Sequence, residues 1–383
     1  MKSILLRLAD YYRILAIVFL NAVIFLIAIN YIAAFFLQIH KGSGTDDDRS
    51  LGLFKYKKYD PALEPVYRGW GPEDVNQLLK ETRSVSLGYE PYVQFRERPF
   101  HGRFVNVSPY GFRPVANQSE WPPNPKELNI FVFGGSTVFG YGVTDAETIA
   151  SRLEEKVAQI HGGKVNVFNL GRCSYIFPQE VVFLERLLAS STIPHIAIFI
   201  DGLNDFAHHE GVPGFTKDLT RFMDRGEVAP FKAWFADWPI IKLLNAGGPD
   251  QKNDSKLSES AVGASVFERY ISNKKVVEAL SKNFGIRVLF VWQPVPVYKY
   301  DQNYNVFKDF NYSRFLPYLK PGYEMMYREY RAGSLGENFL WLADMQENLK
   351  EPLYVDAVHY SARMSEMIAG RIVEKMISSG FLN

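Results

Sequence analysis

The stretch Phe131-Val132-Phe133-Gly134-Gly135-Ser136-Thr137-Val138-Phe139-Gly140 decides how the chain is read. An apolar run from Leu128 to Phe133 stops abruptly at two glycines, a serine and a threonine. A short apolar run bounded by turn residues reads as a buried strand. The glycines permit a tight exit because they lack the Cβ that blocks unusual backbone angles. Helix-forming residues follow, so Ser136 stands at the tip of a strand-to-helix turn, near the positive end of a helix dipole. A nucleophile placed there can meet a substrate at the edge of a sheet. Taken alone, the same residues also read as an ordinary glycine turn in an α/β protein, and the rest of the chain has to separate the two.

Downstream the pattern is regular. Thr144 and Glu147 match a capping box, and Ile149, Leu153, Val157 and Ile160 form one apolar face, which predicts a helix over 144–160. Val165–Asn169 reads as a second strand and Gln179–Ala189 as a second helix. His195–Ile200 is a third strand, Ser265–Phe284 a helix and Ile286–Gln293 a strand. Phe339–Ala343 follows as a fifth strand, and Ser361 opens a last helix with the stripe Met364, Ile368, Ile372 and Met376. Alternating strands and helices imply a parallel sheet covered on both faces, a three-layer α/β/α sandwich of about five strands. In such sheets ligands bind beyond the carboxyl ends of the strands.

Upstream, Ile14 to Ile39 is a run of 26 residues without a charged side chain. About 20 residues of helix cross a bilayer core. Signal peptides have a shorter apolar region, so an uncleaved transmembrane anchor is expected over residues 1–40. Lys2, Arg7 and Arg13 precede the span, whereas Lys41 is followed by Asp46, Asp47 and Asp48. The excess of positive charge predicts a cytoplasmic N-terminus, with everything after residue 40 outside the cytoplasm (periplasmic in a Gram-negative cell). Within the span, Asn21 and Asn30 are able to pair with another helix, but they are expected to be simply tolerated. Residues 41–125 read as a linker and a small, irregular, β-containing module with a strand over Gly102–Ser108. Residues 126–383 form the regular domain, interrupted by an insertion at 206–263 that is too long for a simple crossover. The insertion carries Phe231, Trp234, Phe235, Trp238, Ile240, Ile241, Leu243 and Leu244. It reads as a lid, a membrane-resting surface or an extra helix on the core.

With 43 basic and 42 acidic residues, no global electrostatic argument points to nucleic acid. The aromatic share of 15% suits a large core, or a surface facing carbohydrate or membrane. Cys173 is the single cysteine, so no intrachain disulfide forms. His208 and His209, with Glu210 and Asp205, lack the spacing of a metal site and are expected to be solvated loop residues. Gly134-Gly135 is followed by no Gly-Lys-Ser/Thr, so it is not a phosphate loop. No metal or cofactor is expected.

Four stations end predicted strands: Ser136; Asn169-Leu170-Gly171-Arg172-Cys173-Ser174; Gly202-Leu203-Asn204-Asp205; and Asp356-Ala357-Val358-His359. Acyl transfer by a serine needs a base, an acid to orient that base, and donors aimed at the developing oxyanion. Together the four stations supply all three.

At these residues the chain resembles the SGNH (GDSL-like) hydrolases, whose fold is flavodoxin-like. Gly134-Gly135-Ser136-Thr137 is similar to their first block, with Gly135 where Gly-Asp-Ser has aspartate, as in a bacterial membrane-anchored or exported branch with Gly-Gly-Ser-Thr. Gly202-Leu203-Asn204-Asp205 matches the third block and Asp356-Ala357-Val358-His359 the fifth. The run from Asn106 to Arg113 resembles one that often precedes the domain in such proteins. The resemblance implies a catalytic triad of Ser136, His359 and Asp356, and an oxyanion hole from Ser136, Asn204 and either Ser174 or Gly171. It implies a membrane-anchored, extracytoplasmic serine esterase that needs no cofactor and acts on an acyl ester, with O-acetyl leading, on a cell-envelope glycan or lipid. Acyl transfer, lysophospholipase action and a non-catalytic envelope-assembly role on the same fold are the alternatives.

Overall fold

In the computed structural model the described residues are 2–40, 59–214, 216, 238–241 and 257–382. They fall into two compact units, one drawn from 1–50 and 218–255 and the other from 51–217 and 256–383.

In the first unit, α1 (Lys2–His40) is a single continuous helix. Its Arg7–Phe35 portion contains an 18-residue stretch with a mean hydropathy of 2.5 and is long and apolar enough to cross a membrane. Most of its described side chains are exposed, but Ala33 is 2% exposed. One turn earlier, Asn30 accepts a hydrogen bond at Oδ1 from the Ile240 N–H at 3.3 Å. Asn30, expected from the sequence to be simply tolerated in the span, therefore has a partner, and it comes from the insertion. The linker and the remaining apolar residues of the insertion lie outside the described residues, as does any reading of them as a lid.

The second unit is built on a five-stranded sheet of β5 (Leu128–Gly134), β6 (Val165–Asn169), β7 (Ile196–Asp201), β8 (Arg287–Trp292) and β9 (Phe339–Trp341). All neighbours pair in parallel, in the order β6-β5-β7-β8-β9. Successive side chains point to opposite faces of a strand, and here both faces are apolar. Phe131, Phe133, Phe168, Phe199, Phe290 and Trp292 line one face, under α5 (Phe177–Ala189), α7 (Glu259–Phe284) and α9 (Leu319–Arg331). Ile130, Val132, Val167, Ile198 and Val291 line the other, under α4 (Ile149–Ala158) and α10 (Ala362–Ser378). Much of the aromatic content is thus core. Phe133 and Phe199 stack with centroids 4.7 Å apart, and such pairs contribute ~0.5–1.5 kcal/mol beyond burial.

Before the sheet come α2 (Pro72–Ser84), a hairpin of β1 (Leu87–Glu90) and β2 (Gln94–Glu97), and a short pair, β3 (Phe100–His101) with β4 (Asn106–Val107). The strand expected over Gly102–Ser108 shrinks to Asn106–Val107. Its first half instead delivers the N–H groups of Arg103, Phe104 and Val105 to the Glu81 carboxylate. The helix expected over 144–160 also differs. The Thr144/Glu147 box caps a 3-10 turn, Asp145–Glu147, and the α-helix restarts at Ile149 with Thr148 accepting the Ser151 N–H at 3.2 Å. Ile160 lies past the helix end and is 52% exposed.

Candidate active site

Strand order reverses around β5, because the chain runs from β5 to β6 on one side and then returns to β7 on the other. Beyond the carboxyl end of such a strand a crevice opens, and Ser136 stands there as the first residue of α3 (Ser136–Phe139). Gly134 makes the exit possible. Its φ is +155°, and a Cβ would lie 2.3 Å from Val138 Cγ2 and 2.8 Å from the Ile200 carbonyl oxygen.

The loop from Asp356 to His359 brings the other two groups in. His359 Nε2 lies 2.8 Å from Ser136 Oγ, and His359 Nδ1 lies 2.6 Å from Asp356 Oδ2. The remaining carboxylate oxygen, Oδ1, accepts the N–H groups of Val358 and His359 at 2.9 and 2.8 Å, which locks the loop. With Nδ1–H donating to Asp356, the neutral ring turns its lone pair at Nε2 toward the serine hydroxyl. Tyr141 covers the imidazole, with centroids 5.2 Å apart and planes 21° apart. All three residues are buried, Ser136 the least at 8% exposed.

Asn204 sits in α6 (Leu203–Ala207), directly after the β7 exit at Gly202. Its Nδ2 donates to the Tyr175 carbonyl at 2.7 Å, leaving its other N–H beside the Gly135–Ser136 turn. A Cβ on Gly135 would lie 2.3 Å from that same nitrogen. Ser136, Gly135 and Asn204 are therefore in immediate proximity.

The two alternatives in the 169–174 stretch separate structurally. Gly171 N–H donates to Asn169 Oδ1 at 3.1 Å, and a Cβ there would collide with Phe139 N at 2.4 Å. Gly171 is used for close packing and its N–H is engaged. Ser174 has a φ of +54°, the left-handed region that favours glycine. Among the described residues its N–H makes no hydrogen bond to the chain. Gly214, at the start of the insertion, packs on it closely enough that a Cβ would lie 3.2 Å from Ser174 Cβ.

Several site-shaping residues carried no motif. Gln293, 3% exposed, accepts at Oε1 from Thr137 Oγ1 at 2.7 Å and from the Tyr360 hydroxyl at 3.2 Å. These are the neighbours of Ser136 and His359, so one amide oxygen ties the two together. Replacing Gln293 with leucine is expected to lower kcat roughly 10–100-fold, because small displacements of reacting groups are costly. The same change leaves the buried Thr137 hydroxyl unpaired, while the Tyr360 hydroxyl keeps the Pro294 carbonyl at 2.8 Å, and should cost about 1–3 kcal/mol. Turnover of p-nitrophenyl acetate and thermal unfolding measure the two effects, with Gln293→Glu as the variant that keeps the acceptor.

Arg113, 1% exposed, pairs with Asp145 at 2.7 Å and donates to the Gly140 and Val143 carbonyls at 2.6 and 3.0 Å. Asn106 holds the other side of Asp145 at 2.8 Å. The Asn106–Arg113 run thereby pins the loop that follows Ser136.

Cys173 is half-buried, and desolvation pushes its thiol up to about 11, which keeps it neutral. His208 and His209 are half-buried, not solvated: the His209 ring packs on Tyr318 at 4.7 Å and its carbonyl accepts from Arg269 at 2.8 Å. Among the described residues no cluster of His, Cys, Asp or Glu is arranged to hold a metal ion.

No protein-family profile matches the chain, and no curated protein matches it. Solved structures similar to it include a member of the lipolytic protein G-D-S-L family from Veillonella parvula, 11% identical with a TM-score of 0.38, over 64% of this chain and 96% of that one. Another is Est24, a carbohydrate acetylesterase from Sinorhizobium meliloti, 11% identical with a TM-score of 0.38, over 66% of this chain and 99% of the other. A lipase/acylhydrolase from Enterococcus faecalis is 14% identical with a TM-score of 0.35, over 65% of this chain and 94% of the other. Overlaps this loose leave the chemistry to the site's own geometry.

Proposed function

We propose that this chain is a serine ester hydrolase of the SGNH type. The observation that carries the reading is the aligned pair of contacts from Ser136 Oγ to His359 Nε2 and from His359 Nδ1 to Asp356 Oδ2, 2.8 and 2.6 Å long. In the proposed reaction Ser136 attacks the ester carbonyl and its proton passes to His359 Nε2. Asp356 holds the imidazole in the required tautomer and stabilises the imidazolium. His359 then returns the proton to the leaving alkoxide, and water repeats the sequence on the acyl-enzyme. The N–H groups of Ser136 and Ser174 and the free N–H of Asn204 are assigned to the oxyanion. Ser174 is preferred over Gly171 because the Gly171 N–H is already held by Asn169 Oδ1.

The apolar α1 helix supports a membrane anchor, and the positive charge before it supports an extracytoplasmic catalytic unit. From that placement we infer an acyl ester on an envelope glycan or lipid as the substrate, with O-acetyl leading. The test uses the full chain in detergent micelles and a fluorophosphonate probe. Labelling is expected on wild type and not on Ser136→Ala, and an unlabelled wild type would sink the reading. Acetylated glycans and acyl lipids, offered side by side to the same preparation, then identify the substrate class by release of acid.

A further inference from the structure

The assigned oxyanion loop does not hold itself in place. Residues 172–179 are gripped by the β1–β2 hairpin, which lies about 80 positions earlier in the chain. The Phe95 carbonyl accepts the Tyr175 hydroxyl at 2.5 Å, and the Val93 carbonyl accepts Gln179 Nε2 at 3.1 Å. Glu90 takes Arg172 at 2.9 Å and Arg186 at 2.8 Å. At the end of β2, Glu97 reaches the backbone directly: its Oε1 accepts the Cys173 N–H at 2.7 Å. Glu97 is wholly buried, and its second oxygen, Oε2, has no hydrogen-bond partner among the described residues.

A buried carboxylate with one oxygen unpartnered is costly. A neutral side chain would be cheaper at a purely structural position. What the charge adds is a stronger hydrogen bond to the one N–H it touches. That N–H immediately precedes Ser174, whose left-handed backbone needs external support because residues with a Cβ disfavour it by ~1–2 kcal/mol.

We propose that Glu97 is a positioning residue for the oxyanion loop, fixing the peptide that leads into Ser174 so that the Ser174 N–H faces the reacting carbonyl oxygen. The inference rests on the serine-hydrolase reading above. The groups facing Glu97 are Arg172, which favours its charge, and Glu90, which opposes it, with Cys173, Tyr141 and Tyr175 close by. Burial dominates and pushes the carboxyl up to about 7. The stronger acceptor, the carboxylate, is therefore populated as pH rises through 7. Stability runs the other way. A raised carboxyl favours the folded state most below its unfolded value, and that advantage fades as pH rises to about 7.

The test compares full-length wild type, Glu97→Gln and Glu97→Ala in micelles, with p-nitrophenyl acetate as substrate and Ser136→Ala as the blank. Glu97→Ala should lower kcat about tenfold, less than the ~10²–10³ for losing an oxyanion donor outright, with KM within twofold. Glu97→Gln, which keeps an acceptor oxygen, should restore most of that rate. The ratio of wild-type to Glu97→Gln kcat should rise between pH 6 and 8. Thermal unfolding of Glu97→Gln relative to wild type should improve over the same range. If Glu97→Ala does not fold, the pH dependence of the ratio decides. A ratio flat with pH, an alanine variant with wild-type kcat, or a loss confined to KM overturns the proposal. A wild type that neither labels nor turns over fails the serine-hydrolase reading itself, and the role of Glu97 falls with it. An active, labelled wild type with indifferent Glu97 variants fails the positioning role alone.

Discussion

Ser136→Ala is expected to abolish ester hydrolysis, with kcat falling on the order of 10⁶-fold, the loss seen when a serine nucleophile acting with its base is removed. The residual rate would come from the oxyanion donors and from substrate binding, which do not depend on the hydroxyl. Folding should survive. Ser136 enters α3 through its backbone, and its hydroxyl contributes the single bond to His359 Nε2. Loss of one such bond costs about 0.5–1.5 kcal/mol. His359 keeps its place through Asp356 and through the Tyr141 ring stacked on it. A purified variant with a cooperative thermal transition near that of wild type and no turnover of p-nitrophenyl acetate is the expected pair of results. Turnover at the wild-type rate would mean that Ser136 is not the nucleophile, whatever its distance from His359.

The sheet was legible in the sequence because each strand is buried on both faces. Leu128–Gly134, Val165–Asn169 and Ile196–Asp201 are mostly apolar runs, interrupted only by Asn129 and Asn166, that end in glycine, asparagine or aspartate, and local pattern suffices to find them. The four candidate stations were legible for the same reason, since each follows such a strand or precedes the last helix. Helix α9 was not. It contains Lys320-Pro321-Gly322, which reads as a break, yet Pro321 lies in the first turn, where its missing N–H has no intrahelical acceptor to lose. Gly322 is needed there because a Cβ would strike the Phe206 ring at 2.2 Å. Glu97 and Gln293 were invisible for a related reason. Their roles depend on partners 76 and 156 positions away, and nothing in their own neighbourhoods marks them. The small module before the sheet looked irregular because its strands are short. Its residues instead bind the loops on either side of Ser136, through Arg113 on one and Glu97 on the other.

The second large effect concerns Asn204 and Gly135 as a pair. Asn204→Ala should lower kcat about 10²–10³-fold, the loss expected for removing one oxyanion donor. Gly135→Ala should cost nearly as much, although Gly135 has no side chain to contribute. Its new Cβ would lie 2.3 Å from Asn204 Nδ2, within contact that real atoms do not make. The amide would have to swing away and release the Tyr175 carbonyl, which now fixes it at 2.7 Å. Gly135→Asp, which writes Gly-Asp-Ser into this chain, should lose activity for the same reason. The two positions then act through one group, and their effects should not add. Once Asn204 is alanine there is no amide left to displace. The Asn204→Ala, Gly135→Ala double variant should therefore be no slower than Asn204→Ala alone, within about threefold in kcat. Multiplied losses would instead mean that Gly135 serves the nucleophile turn itself, through the backbone geometry at Ser136, and that its proximity to Asn204 is incidental.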